Sequence, residues 1–112
     1  MDYAPTASFP LLLSVYQAAR EAGIEASVGP VLSSDSFYTE DPGQWKLWAG
    51  FGVVGVEMET AELYTLAAKY SVQALAVLTV SDHLVTGETT SSAERQTSFT
   101  AMARLALEGI IR

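Results

Sequence analysis

The stretch VQALAVLTVSDHLVTGETTSSAER, residues 72–95, decides how the rest of the chain is read. Its first half is apolar and rich in β-branched side chains, and it is too short to cross a membrane, so it reads as a buried strand of a parallel sheet. That strand closes on Ser81 and Asp82. In open α/β sheets ligands lie beyond the carboxyl ends of strands, which puts the Ser-Asp pair where chemistry is done. Downstream, Ser91 with Glu94 three residues later spells a capping box, so a helix is expected to begin there. Arg95 sits four residues before Phe99 on a stripe continuing through Met102, Ala103, Ala106 and Ile110, which predicts an inward guanidinium. A cation in the first turns of a helix opposes the macrodipole, so an anionic partner is required, and Asp82 is the nearest candidate. The plainer roles are a turn or cap for Asp82 and a structural ion pair for Arg95.

A second junction has similar character. Residues 53–56, VVGV, form a short Val-rich run that reads as a buried strand and leads into Glu57-Met58-Glu59. The following helix is expected to reach about Tyr70, with an apolar stripe of Leu63, Leu66, Ala67 and Tyr70. Stepping back four residues from Leu63 puts Glu59 on the buried side. A carboxylate at a helix N-terminus is held ionised, so Glu59 is expected to act as an anionic hydrogen-bond acceptor, and Glu57 faces a similar burial problem. Capping is the competing role for both acids.

Upstream, Phe9 to Ala22 carries Leu11, Val15, Ala18 and Ala22 at helical spacing, with Pro10 in the first turn and Gly23 as the stop. Ile24 to Leu32, interrupted by Gly29 and Pro30, reads as a bent strand that delivers Ser33 to Tyr38 into a loop. The segment DPGQWKLWAGFG, residues 41–52, predicts a short helix with Asp41 as N-cap and Pro42 at its first position; Trp45 and Trp48 share a packing face. The order is helix, strand, short helix, strand, helix, strand, helix. That order specifies an α/β fold with a mostly parallel sheet, whose strand ends bring Phe37, the Glu57–Glu59 group and Ser81-Asp82 to one rim. A flat heterocycle could stack on Phe37, and vicinal hydroxyls could donate to a fixed carboxylate. Asp82 would be a proton donor if desolvated, or an acceptor if Arg95 holds it ionised.

Composition narrows the partners. The chain has 112 residues, enough for one domain or a piece of one, and no cysteine. Its hydrophobic content of 49% is high for a free-standing domain, which points to oligomer contacts or missing chain. No apolar run approaches the roughly 20 residues a bilayer span needs. Six Lys and Arg stand against thirteen Asp and Glu, a net charge of −7 with no basic stripe, which argues against nucleic acid or an anionic membrane as partner. The N-terminus MDYAPTASF has no leader pattern, so a cytoplasmic protein is expected.

These motifs together resemble a known family. VGVEMETAELYTLA (54–67) and AVLTVSDHLVTGETTSSAERQTSF (76–99), with YAPTASF (3–9) and SSDSFY (33–38), are closely similar to the C-terminal half of the bacterial hexameric purine nucleoside phosphorylases. The resemblance covers essentially the whole chain and implies one partial domain over residues 1–112 of the nucleoside phosphorylase fold, a mixed α/β sandwich around a distorted barrel. It implies phosphorolysis of purine nucleosides to free base and ribose 1-phosphate, with phosphate as co-substrate and no cofactor or metal. By motif, Asp82 would protonate the purine at N7 and Arg95 would help it hold and deliver that proton. Ser81 would shape the base pocket and Phe37 would pack on the base. Glu57, Met58 and Glu59 would line the ribose, Glu59 taking the hydroxyls. His83 completes the family's SDH and is read as serving local hydrogen bonding.

The family's phosphate site lies upstream of the pattern this chain carries, on glycine, arginine and serine residues, with a histidine and an arginine from a neighbouring subunit. The chain is therefore expected to be a fragment, a truncated product or one half of an enzyme, and to belong to a homo-oligomer, a hexamer in the family. The alternatives are a nucleosidase of the same superfamily that uses water, and a non-catalytic remnant kept for binding or assembly.

Overall fold

The computed structural model describes residues 4–35, 43–80 and 91–111. Among these residues it is α/β, with four helices and a two-stranded parallel sheet, in two compact units that are taken separately below.

The first unit draws on residues 26–74 and contains β1 (Val31–Ser33), α2 (Gln44–Gly50), β2 (Gly55–Glu57) and α3 (Thr60–Lys69). β1 and β2 run parallel, with Val31 opposite Gly55, Leu32 opposite Val56 and Ser33 opposite Glu57. The chains meet closely just before the ladder: Val54 N–H donates to Pro30 O at 2.9 Å. A β-carbon on Gly29 would lie 3.0 Å from Val54 Cγ1, tighter than ordinary carbon contact, so this approach favours a residue without one. The strand expected over Ile24 to Leu32 is thus confined to Val31–Ser33. Pro30 cannot donate to a ladder, and pairing begins only after it. The strand expected over residues 53–56 is shifted to Gly55–Glu57, in register with β1.

The second unit draws on residues 8–25 and 75–111, with α1 (Phe9–Glu21) and α4 (Ser92–Ile111) packed together. Ser8 caps α1, its Oγ accepting from Leu11 N–H at 3.4 Å, and Pro10 occupies the first turn as expected. Ser91 caps α4, its Oγ accepting from Glu94 N–H at 3.1 Å. The contact between the helices is built on small residues. Ser14 Oγ donates to Gly109 O at 2.7 Å, and Ala18, Ala19 and Leu105 form the buried cluster beside it. Nearby, Thr79 Oγ1 donates to Met102 Sδ at 3.2 Å.

Three helices end in one device. After α1, Gly23 N–H reaches Arg20 O and Ile24 N–H reaches Ala19 O; after α2, Gly52 and Val53 bond to Ala49 and Trp48; after α3, Ser71 and Val72 bond to Ala68 and Ala67. Each is a Schellman motif, whose key residue must adopt the left-handed conformation. Gly23 (φ 71°) and Gly52 (φ 86°) do so without a β-carbon, whereas Ser71 (φ 54°) does so with one.

Several expected features differ. Residues 72–80 form no ladder with any described residue, because a strand exists only through its partners and the pattern names none of them. α2 is capped by Gly43, and Asp41 and Pro42 lie outside the described residues. α2 buries no residue: Trp48 is exposed and Trp45 half-buried, with the Lys46 ammonium 5.7 Å from its ring centroid. In α3, Ala67 of the expected stripe is buried, together with Thr60, but Leu63, Leu66 and Tyr70 are exposed. In α4, Met102, Ala103 and Ala106 of the expected stripe are half-buried and Leu105 is 7% exposed, but Phe99 is 59% and Ile110 69% exposed; residues 93–100 are all exposed, so Arg95 is exposed, not inward.

Candidate functional site

The junction between β2 and α3 is the one predicted site that the described residues contain whole. Helix α3 begins with backbone N–H groups that have no partner within the helix, and each needs an acceptor from outside. Glu57, the last residue of β2, supplies two of these acceptors. Its Oε2 accepts from Glu59 N–H and Thr60 N–H, each at 2.7 Å. Its Oε1 accepts from the hydroxyl of Ser33, the residue opposite it at the end of β1. The same Ser33 Oγ accepts from Ala61 N–H at 2.9 Å, and Ser34 N–H donates to Glu57 O at 2.8 Å. Two strand ends and the first turn of a helix are thereby joined in one hydrogen-bonded node.

Electrostatics follow from that geometry. Burial pushes the Glu57 carboxyl up, but hydrogen bonds from Ser33, from the Thr60 hydroxyl and from the Thr60 and Glu59 amides outweigh it, and the group lies below its ordinary value. Glu57 is therefore an anion held by donors. Glu59 occupies the N-cap position but makes no side-chain cap bond, and its side chain is exposed instead of starting on the buried side. Met58 is 41% exposed. Glu57 took the capping work two residues before the helix, so Glu59 is not drawn inward.

The node explains which parts of the site the chain brings together. Glu57, Met58 and Glu59 share one strand end with Ser33. Phe37, Ser81, Asp82 and His83 lie outside the described residues. Arg95 lies in the first turn of α4, in the other unit, its N–H bonded to Ser91 O at 3.0 Å. Among the described residues no three His, Cys, Asp or Glu side chains are grouped to hold a metal ion. No helix there is long and apolar enough to cross a membrane. Ser33 is the residue that reading the sequence missed. It was visible only as the first of a run of small polar residues, and its role depends on the β1–β2 register.

The model of the Phosphorylase superfamily matches residues 2–112. The chain belongs to that superfamily. It is 63% identical over 108 residues to the purine nucleoside phosphorylase DeoD-type of Thermoanaerobacter sp. (strain X514), an alignment covering 96% of this chain and 46% of the relative. To the protein of the same name from Caldanaerobacter subterraneus subsp. tengcongensis it is 64% identical, over 96% of this chain and 47% of the relative. To that from Exiguobacterium sibiricum it is 54% identical, over 100% and 48%. The chain thus spans about half the length of these curated relatives. Its mixed α/β architecture, with a parallel pair of strands each followed by a helix, is consistent with a superfamily of the nucleoside phosphorylase fold.

Proposed function

We propose that this chain carries the purine and ribose side of a purine nucleoside phosphorylase site, and that phosphate is bound by residues outside it. The observation that carries the reading is the β2–α3 junction, where a bonded Glu57 leaves Met58 and Glu59 exposed beyond a strand end. The relatives, purine nucleoside phosphorylases of the DeoD type, support the same reaction. In this reading the Glu57–Glu59 group forms the ribose side, and Phe37 and Ser81 the base side. Asp82 donates its proton to the purine ring nitrogen as the glycosidic bond breaks, making the base a better leaving group. Arg95 holds Asp82 and helps deliver the proton. Phosphate attacks the sugar from the other face and leaves as the sugar 1-phosphate, with no cofactor. The protein works in the cytoplasm as a homo-oligomer.

Phosphate is placed elsewhere because a dianion needs several converging donors, typically arginines or a glycine-rich turn. Of the described basic residues, Arg20, Lys46, Lys69 and Arg104 lie on helices, where nothing in the sequence pattern brings them to a strand end, and Arg95 is assigned to Asp82. The test is to incubate the purified 112-residue chain with inosine or adenosine, with and without phosphate, and to follow binding and base release. Nucleoside binding without phosphate-dependent release is expected. Phosphate-dependent turnover near that of a full-length relative would overturn the placement of the phosphate site. Release that ignores phosphate would favour a nucleosidase, and absence of nucleoside binding would overturn the base and ribose assignment.

A further inference from the structure

Hydrogen bonding separates the two acids of the junction. An ionised carboxylate offers about four lone-pair positions. At Glu57 four donors face them: the Ser33 hydroxyl, the Thr60 hydroxyl, and the Glu59 and Thr60 amides. A carboxylate so occupied has little left to give a ligand's hydroxyls. Glu59, two residues on, makes no side-chain bond to its own helix and is exposed.

We propose that Ser33 is a positioning residue which, by donating to Glu57 and accepting from Ala61 N–H, reserves Glu57 for the start of α3 and leaves Glu59 as the carboxylate that receives the ribose hydroxyls. The assignment rests on the nucleoside reading above. Its chemistry is that of a relay in position only: Ser33 touches neither substrate nor any reacting atom, and acts through the backbone of residues 57–61. Its hydroxyl is well suited because it must donate and accept at once, which an alanine cannot do and a threonine can. Met58 and Glu59 bridge the strand end and the helix, so their direction is set by whether that first turn is closed. An open first turn would leave Glu59 on a frayed end, with the cost appearing as lost preference for a hydroxylated sugar and not as lost affinity for the base.

The experiment has two arms on the full chain. In the first, NMR follows amide exchange at Glu59, Thr60 and Ala61 and the titration of the Glu57 carboxyl. Ser33→Ala should speed exchange about tenfold, the equivalent of one lost cap, and raise the Glu57 titration, and Ser33→Thr should restore both. Unchanged exchange and titration in Ser33→Ala would overturn the assignment. In the second, affinities for inosine and 2′,3′-dideoxyinosine are compared. Glu59→Gln should abolish the preference for inosine; Ser33→Ala should reduce it with dideoxyinosine affinity unchanged, and Ser33→Thr should recover it. If Glu57→Gln abolishes the preference while Glu59→Gln retains it, Glu57 is the ligand and the proposal is wrong. If the parent chain binds neither nucleoside, the functional reading fails, and the first arm still decides whether Ser33 sets the junction.

Discussion

Gly109→Ala should loosen the packing of α1 on α4, although alanine is the better helix former. A β-carbon at position 109 would lie 2.3 Å from Val15 Cγ2 and 3.1 Å from Val15 Cα. Ordinary carbon contact is about 3.5–4.0 Å, so more than an ångström has to be found. Val15 cannot simply turn aside, because a β-branched side chain in a helix has one strongly preferred rotamer and its Cα stays too close in any case. The helices must therefore separate, which also stretches the 2.7 Å bond from Ser14 Oγ to Gly109 O and opens the cluster of Ala18, Ala19 and Leu105. Overpacking costs about 1–3 kcal/mol and the hydrogen bond about 1 kcal/mol. Helix propensity returns at most about 1 kcal/mol, and less near the end of α4. The expected net loss is about 1–3 kcal/mol, read from urea unfolding followed by helical circular dichroism. Gly50→Ala is the matched control, since no atom lies within 4 Å of its β-carbon position. It should be neutral or stabilising. Val15→Ala should recover part of the loss in the Gly109→Ala background, because it removes the atom at 2.3 Å. A Gly109→Ala chain as stable as its parent, or a loss that Val15→Ala does not touch, would refute the reasoning.

Other expectations follow from the same structure. Because the Glu57 carboxyl lies below its ordinary value, the stability it adds is present above the unfolded-state value and is lost as pH falls through its lowered folded value. The stability gap between parent and Glu57→Gln should therefore be full near neutrality and close in strong acid; a gap that widens as pH falls would contradict this sign. Ser71→Gly should stabilise the chain by about 0.5–1 kcal/mol, since φ 54° carries a β-carbon penalty that glycine avoids, offset in part by unfolded-chain entropy; thermal unfolding reads it, and a loss of stability would show that Ser71 earns its place through its side chain. Ser91→Ala should cost about 1 kcal/mol through loss of the α4 cap, measurable by the same denaturation series. In an intact enzyme carrying this segment, Asp82→Ala should lower kcat by about a hundred to ten thousand fold with little change in nucleoside affinity. Comparable kcat in variant and parent would remove Asp82 from the proton-donor role.

What the sequence made legible was whatever a short stretch decides for itself. Ser91 announces a helix start because the capping bond reaches only two or three residues ahead, and Gly23 announces a stop because one residue must turn left-handed there. The junction at residues 57–59 was legible as a place where acids meet a strand end. Which acid does what was not, since that depends on Ser33 lying opposite Glu57 in a ladder of three residue pairs. Reading an apolar stripe also says that a face is covered without saying by what. The stripe of Leu63, Leu66, Ala67 and Tyr70 on α3 is buried only at Ala67, and that of Phe99, Met102, Ala103, Ala106 and Ile110 on α4 is half-covered in its middle and exposed at both ends, while Leu105, outside it, is buried.

The same distinction separates the elements that formed from the one that did not. β1 and β2 pair because both lie within this chain and because Gly29 lets Val54 and Pro30 approach before the ladder starts. Residues 72–80 are the more strongly apolar run, yet they join no ladder with a described residue, and Val72, Leu78 and Val80 are exposed. Hydrophobicity specifies that a segment should be buried, but a strand also needs hydrogen-bonding neighbours on its edges, and an apolar run does not name them. The apolar composition is thus matched to a larger buried surface than these residues provide for one another, with no large side chain among them fully buried. A run that joins no ladder with a described residue, and apolar side chains exposed on α3 and on α4, leave apolar surface that water disfavours, so the purified chain should self-associate. Sedimentation across a concentration series tests this. A strictly monomeric chain at all concentrations would show that the exposed faces are tolerated in water and that the argument from unmatched apolar surface is wrong.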